Sequence, residues 1–121
     1  MNLSQVTTLR MGGPAKKVVE ATTEAELIDA VRSADQTGEP VLLVAGGSNL
    51  VVADVGFDGT VVLIRTSGIS EEVDDCSGAL VTVAAGENWD DFVAYAISRD
   101  WAQVEALSGI PGAVGSTSIQ N

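Results

Sequence analysis

Apolar and polar positions fall into blocks along this chain, and each block carries the period of one kind of element. "KKVVEA" (residues 16–21) reads as a short strand. In the following "TTEAELIDAVRSADQTG", Leu27, Ile28, Val31 and Ala34 share one helical face. Thr23 with Glu26 three residues on forms a capping-box pattern, and Gly38 and Pro40 end the helix. The unbroken apolar run 41–44 predicts a strand buried on both faces. Strand, helix, strand makes a βαβ unit with a right-handed crossover. Residues 51–52 and "TVVLI" (60–64) predict two further strands, separated by the turn-rich "ADVGFDG".

The polar, acidic stretch "SGISEEVDDCSGA" reads as the join to a second lobe, and the alternation in "ALVTVAAG" (79–86) as a strand. Asn88 is placed to N-cap a second helix, with Asp91 three residues on and its acids in the first turn, where the helix dipole favours them. Trp89, Phe92, Val93, Ala96 and Ile97 give that helix a wide apolar stripe, so the two aromatic rings read as core and not as a stacking platform. Glu71, Glu72, Asp74 and Asp75 read as solvated charge in the join. Cys76 lies among them, where acids disfavour a thiolate. The expected division is one lobe over about residues 1–66 and a second over about 67–121.

At 121 residues, 45% of them hydrophobic and 19% charged, the chain can bury a core and lacks the composition of a disordered one. Six Lys and Arg against seventeen Asp and Glu leave a net charge of −11, and Arg99 is the only basic residue after Arg65. Such a surface repels phosphate backbones and anionic lipid, so neither nucleic acid nor a membrane surface is expected as a partner. A single Cys makes no internal disulfide, which fits a cytoplasmic location. With no His and one Cys, the chain assembles neither a Ser-His-Asp triad nor a metal site of the usual Cys/His kind. Any chemistry here would have to come from a bound cofactor or from residues outside this chain.

Two segments are unusually bare. "VLLVAGGSNLVV" interrupts apolar runs with Ala45, Gly46, Gly47, Ser48 and Asn49, and "LSGIPGAVGSTSIQN" spaces Gly109, Gly112 and Gly115 three apart. Consecutive backbone N–H groups that curve around a diphosphate bind it without Lys or Arg, and Gly permits the positive φ and the close approach. Gly46 to Asn49 then form a phosphate-cradling loop, with Ser48 and Asn49 adding side-chain donors. The bland alternative is a hairpin or bulge at 46–49 and a β-turn at 109–112 with Pro111 setting φ. The pattern is neither the dinucleotide fingerprint nor a P-loop. Two such segments in one small domain suggest two walls around one polar ligand.

Four segments in register, "TTLRMGGPA", "VLLVAGGSNLVVADVGFDGTVV", "VAAGENWDDFVAYAI" and "EALSGIPGAVGSTSIQN", make the chain similar to the N-terminal part of the UDP-N-acetylenolpyruvoylglucosamine reductase family. The resemblance implies an α+β, two-lobed FAD-binding domain of the vanillyl-alcohol oxidase type, stopping before the substrate domain. It implies non-covalent FAD, NADPH as hydride donor, and a UDP-sugar substrate held with the C-terminal part of the enzyme. The family's pyrophosphate loop maps onto Ala45, Gly46, Gly47, Ser48, Asn49 and Leu50, and its second flavin segment onto Ile110, Pro111, Gly112, Gly115, Ser116, Thr117 and Ile119. Ala45 stands where the family often has a third Gly, and Ser118 where it often has Pro. The family's catalytic residues fall beyond Asn121, so none is assigned. The same fold and flavin site would also suit another sugar or alcohol dehydrogenase or oxidase, and a non-catalytic nucleotide-binding domain is the alternative from another class.

Overall fold

The computed structural model describes residues 1–119. Three strands, β1 (Ala15–Ala21), β2 (Val41–Val44) and β3 (Phe57–Ile64), form a parallel sheet in the order β1-β3-β2. Helix α1 (Glu24–Thr37) connects β1 to β2 and lies over β1 and β3. A hairpin of β4 (Ile69–Asp74) and β5 (Gly78–Val83) makes a separate antiparallel sheet, backed by α2 (Trp89–Ser98). Parallel and antiparallel sheets sit in successive regions of the chain, which is an α+β arrangement.

The caps behave as their side chains require. Thr23 Oγ1 accepts from the Glu26 N–H at 3.2 Å, and the Glu26 carboxylate accepts in return from the Thr22 N–H at 2.8 Å, one residue before the usual capping-box partner. The bonds that the carboxylate accepts from the Thr22 N–H and then the Thr22 hydroxyl hold the Glu26 carboxyl below the ordinary glutamate range. Gly38 closes α1 with φ of 69°, a left-handed turn that costs glycine nothing. Asn88 Oδ1 accepts from the Asp91 N–H at 3.0 Å, so α2 begins where the sequence places it.

Two expectations about β2 and its sequel fail for one reason. β2 is an edge strand, with Leu43 half exposed, because β3 and not β2 occupies the centre of the sheet. β3 is the strand buried on both faces: Val61 and Leu63 pack with Leu3 and Val44 on one side, while Thr60 and Val62 point the other way, toward α1. Residues 51–52 are not a strand; Val51 is exposed and Val52 packs on the first core. Residues 45–56 instead form an irregular crossover, since β2 and β3 are parallel and a tight turn cannot join parallel strands.

In the second region the acidic join is itself a strand: β4 pairs with β5 from Ile69↔Val83 to Asp74↔Gly78, and Cys76 lies exposed in the turn. Glu71 is not free solvated charge, because it ion-pairs with Arg99 and accepts from the Tyr95 hydroxyl at 3.3 Å. Trp89, Phe92 and Val93 form the second core with Ile69, Val81, Val83 and Trp101, and the two rings of Trp89 and Phe92 lie 5.7 Å apart. Trp89 and Phe92 are core, as their spacing predicts. Ile28 and Ile97, expected on apolar faces, are exposed at 44% and 54%; each lies one helical step beyond the stripe its neighbours bury.

Candidate functional site

All three parallel strands end on one edge of their sheet, with Ala21 beside Ile64 and Val44 beside Leu63. Open parallel sheets bind ligands outside that carboxyl edge. The crossover leaves β2 there, and its small residues explain how. Gly47 has φ of 68°, and a Cβ on it would sit 1.9 Å from the Val6 carbonyl oxygen. The N-terminal segment therefore lies directly on the loop, fastened by Thr8 N–H donating to the Gly47 carbonyl at 2.9 Å. On its other side a Cβ at Gly46 would come within 2.6 Å of the Gly112 Cα. Much of the bare backbone is thus bare so that the protein's own backbone can approach it.

That second approach joins the two glycine-rich segments, which are more than sixty residues apart in sequence. Ser48 Oγ donates to the Pro111 carbonyl at 3.3 Å, and Asn49 Nδ2 donates to the Ile119 carbonyl at 3.1 Å. These side chains stitch the walls together, where the sequence suggested donors aimed into a cradle. Gly112, with φ of 104°, accepts from the first N–H of α2 (Trp89 N, 3.0 Å), and Asn88 forms a bridge with Ala113. Gly115 N–H donates to the Ala85 carbonyl at 2.9 Å. The segment from Val114 to Ile119 is a 3-10 helix, in which the Ser116 and Thr117 hydroxyls both donate to the Ala113 carbonyl. Among the described residues, neither Gly46 nor Gly47 donates its N–H to a protein acceptor.

The remaining predicted positions divide by role. Leu50 packs on the first core and Ile110 on the second, so their side chains anchor the two segments. Ala45 avoids positive φ, as a residue with a Cβ should, and Pro111 and Ile119 are exposed. Sequence reasoning passed over Arg65. It follows the last residue of β3, and its Nη1 donates to the Ala45 carbonyl at 2.9 Å and the Ile64 carbonyl at 3.1 Å. A cation one step past a strand of a parallel sheet is the signal that would have found it. Cavities also occur elsewhere, one of about 470 Å³ between β5, α2 and residues 100–104, away from both glycine segments.

Comparison with known proteins places this geometry. UDP-N-acetylenolpyruvoylglucosamine reductase of Cutibacterium acnes is 60% identical over 98% of this chain and 32% of its own length. The protein of the same name from Streptomyces coelicolor is 51% identical over 98% of this chain and 30% of its own. The chain thus spans about a third of the length of the curated relatives it matches. The crystal structure of UDP-N-acetylenolpyruvylglucosamine reductase from Thermus caldophilus superposes with a TM-score of 0.69 at 30% identity, covering 96% of this chain and 39% of that one. The pattern of the FAD binding domain matches residues 15–121, a span that takes in the parallel sheet, the hairpin, α2 and both glycine-rich segments, and by that match the chain belongs to the FAD binding domain family.

Proposed function

We propose that this chain is the FAD-binding part of an enzyme that reduces UDP-N-acetylenolpyruvoylglucosamine to UDP-N-acetylmuramate with NADPH, in the cytoplasm. The observation that carries the reading is the meeting of Gly46 with Gly112, which closes two glycine-rich walls over one edge of a parallel sheet. The names of the relatives supply the substrate, and the described residues fit the cofactor. Gly46 and Gly47 present N–H groups that no acceptor among the described residues takes up, beside a surface without a Cβ, and such a nest suits a diphosphate. We divide the chain into two lobes near residue 66, one for each core.

Ala45 to Asn49 would hold the diphosphate from the first lobe, and Gly112 to Thr117 would face it from the second. Bound FAD supplies the carriage of a hydride from NADPH to the enolpyruvyl double bond. Flavin attachment is non-covalent in this reading: the chain has no His, and Cys76 sits at the hairpin turn. Exclusion of water and protonation of the reduced substrate fall to residues outside this chain, since no acid here is assigned to them. No helix among the described residues is long and apolar enough to cross a membrane. The test is flavin binding followed by anaerobic NADPH oxidation with the UDP-sugar. This chain should take up FAD that a denaturing desalting column removes, and it should show no substrate-dependent turnover by itself. A colourless protein that gains no flavin on soaking would overturn the reading.

A further inference from the structure

We propose that Arg65 is the cation that faces the flavin diphosphate, a role that rests on the FAD reading above. The sequence argument holds that a chain of net charge −11 binds a diphosphate through backbone alone. The structure supplies a better partner. Of the six basic residues, Lys16 pairs with Glu39, Arg32 with Asp29 and Arg99 with Glu71. Arg65 is held differently. Its guanidinium contacts two carbonyl oxygens, Ala45 and Ile64, through Nη1, and it meets no carboxylate among the described residues. Its charge is left for another anion.

Its position decides which anion. Arg65 N–H donates to the Ala21 carbonyl at 2.8 Å, fixing the residue at the carboxyl edge of the sheet, and the side chain then reaches across to the residue preceding Gly46. The neighbouring Thr66 hydroxyl accepts from the Gly86 N–H at 3.1 Å, which ties this edge to the strand end that carries Ala85 and, through it, Gly115. Arg65 therefore stands where the first wall begins and close to the backbone that supports the second. Nη1 holds the Ala45 and Ile64 carbonyls; Nη2 and Nε, which bond no acceptor among the described residues, remain as a planar donor pair suited to phosphate oxygens. The same residue orients the loop and offsets the ligand's charge.

The experiment measures binding of FAD, FMN and riboflavin to the flavin-free intact protein by fluorescence, for the parent, Arg65→Gln and Arg65→Lys, with circular dichroism as the check on folding. Loss of a charge-assisted contact predicts FAD binding weaker by roughly 10- to 100-fold in Arg65→Gln. Riboflavin, which has no phosphate, should change less than about twofold, and Arg65→Lys should recover part of the loss. If Arg65→Gln does not fold, the parent's FAD affinity against salt decides, since a diphosphate neutralised by Arg65 must bind more weakly as ionic strength rises while riboflavin does not. Equal loss for FAD and riboflavin, or unchanged FAD binding, overturns the role of Arg65. A parent that binds none of the three overturns the FAD reading itself.

Discussion

The parallel-sheet region and the hairpin region bury similar apolar side chains, yet they hold them in different ways. β3 is covered on both faces, by the N-terminal segment with Leu3 and by α1, so its middle residues Val61 and Val62 are fully buried. The hairpin is covered on one face only: Val81 and Val83 pack on α2, while Leu80, which points to the opposite face, stands 68% exposed. A central strand shared by two layers gains burial at every residue; a two-stranded sheet gains it at every second one, and is marginal without its backing helix. The two glycine-rich segments of the proposed site meet where the firmer region joins the looser. The loop at 45–49 rests on the first, and the segment at 110–119 is carried by the second.

The sharpest way to break the contrast is to place one charge in each sheet. Val61→Asp buries an unpaired carboxylate at a fully covered position and should cost at least about 4 kcal/mol, enough to unfold the protein in a urea titration. Leu80→Lys, on the open side of β5 opposite Glu72, should stay within about 0.5 kcal/mol. Comparable losses at the two positions would mean that the hairpin's outer face is covered in solution.

A smaller effect comes from the junction. Gly46→Ala puts a methyl group 2.6 Å from the backbone of Gly112, where neither segment can yield without moving its whole strand end. The expected cost is about 1–3 kcal/mol in thermal melts, with flavin retention lost while both helices persist in circular dichroism. Retained flavin would show that the two walls do not have to touch to form the site.

The smallest effect belongs to the surface pair of Lys16 on β1 and Glu39 before β2. Hydrogen bonds from Lys16 and then Thr60 hold the Glu39 carboxyl below its ordinary value, and the bond to Glu39 raises the Lys16 ammonium above its own. A carboxyl lowered in the folded state stabilises above its unfolded value and loses that contribution as pH falls through the folded one. An ammonium raised in the folded state stabilises below its unfolded value and loses the contribution as pH rises through the folded one. The melting-temperature difference between the parent and Glu39→Gln should therefore be flat between about pH 5 and 10 and shrink on either side. Lys16 is exposed and Glu39 half-buried at the surface, so the plateau should be low, and it should fall further in high salt. A difference that does not vary with pH would mean that the pair contributes nothing.

Much of this fold was legible in the order of residues because its signals are local. The Thr23 and Asn88 caps, the stop at Gly38, and the strands β1, β3 and β5 follow from side chains acting within four residues of themselves. The failures are cases in which burial or exposure was inferred from side-chain character alone. The run 41–44 looks like a central strand, but the crossover returns the chain to pair β3 between β1 and β2, and Leu43 is left at an edge. The acids of 71–75 look like a linker because their number hides that Ile69, Glu71 and Val73 share one face of β4, the face turned toward α2.

For the site, the sequence by itself determined where backbone had to be bare. Gly46 and Gly47 have no room for a side chain and Gly112 holds a φ of 104° that favours glycine, and the composition and spacing of these segments point to such bare backbone. Only the tertiary structure decided what lies against each of them: the Val6 carbonyl on Gly47, Gly112 on Gly46, and the Arg65 guanidinium on the carbonyl that precedes them. The physical reason is that a glycine records the absence of a side chain without naming the neighbour that requires it. That neighbour is set by strand order and by the meeting of two separate cores, which no local period along the chain encodes.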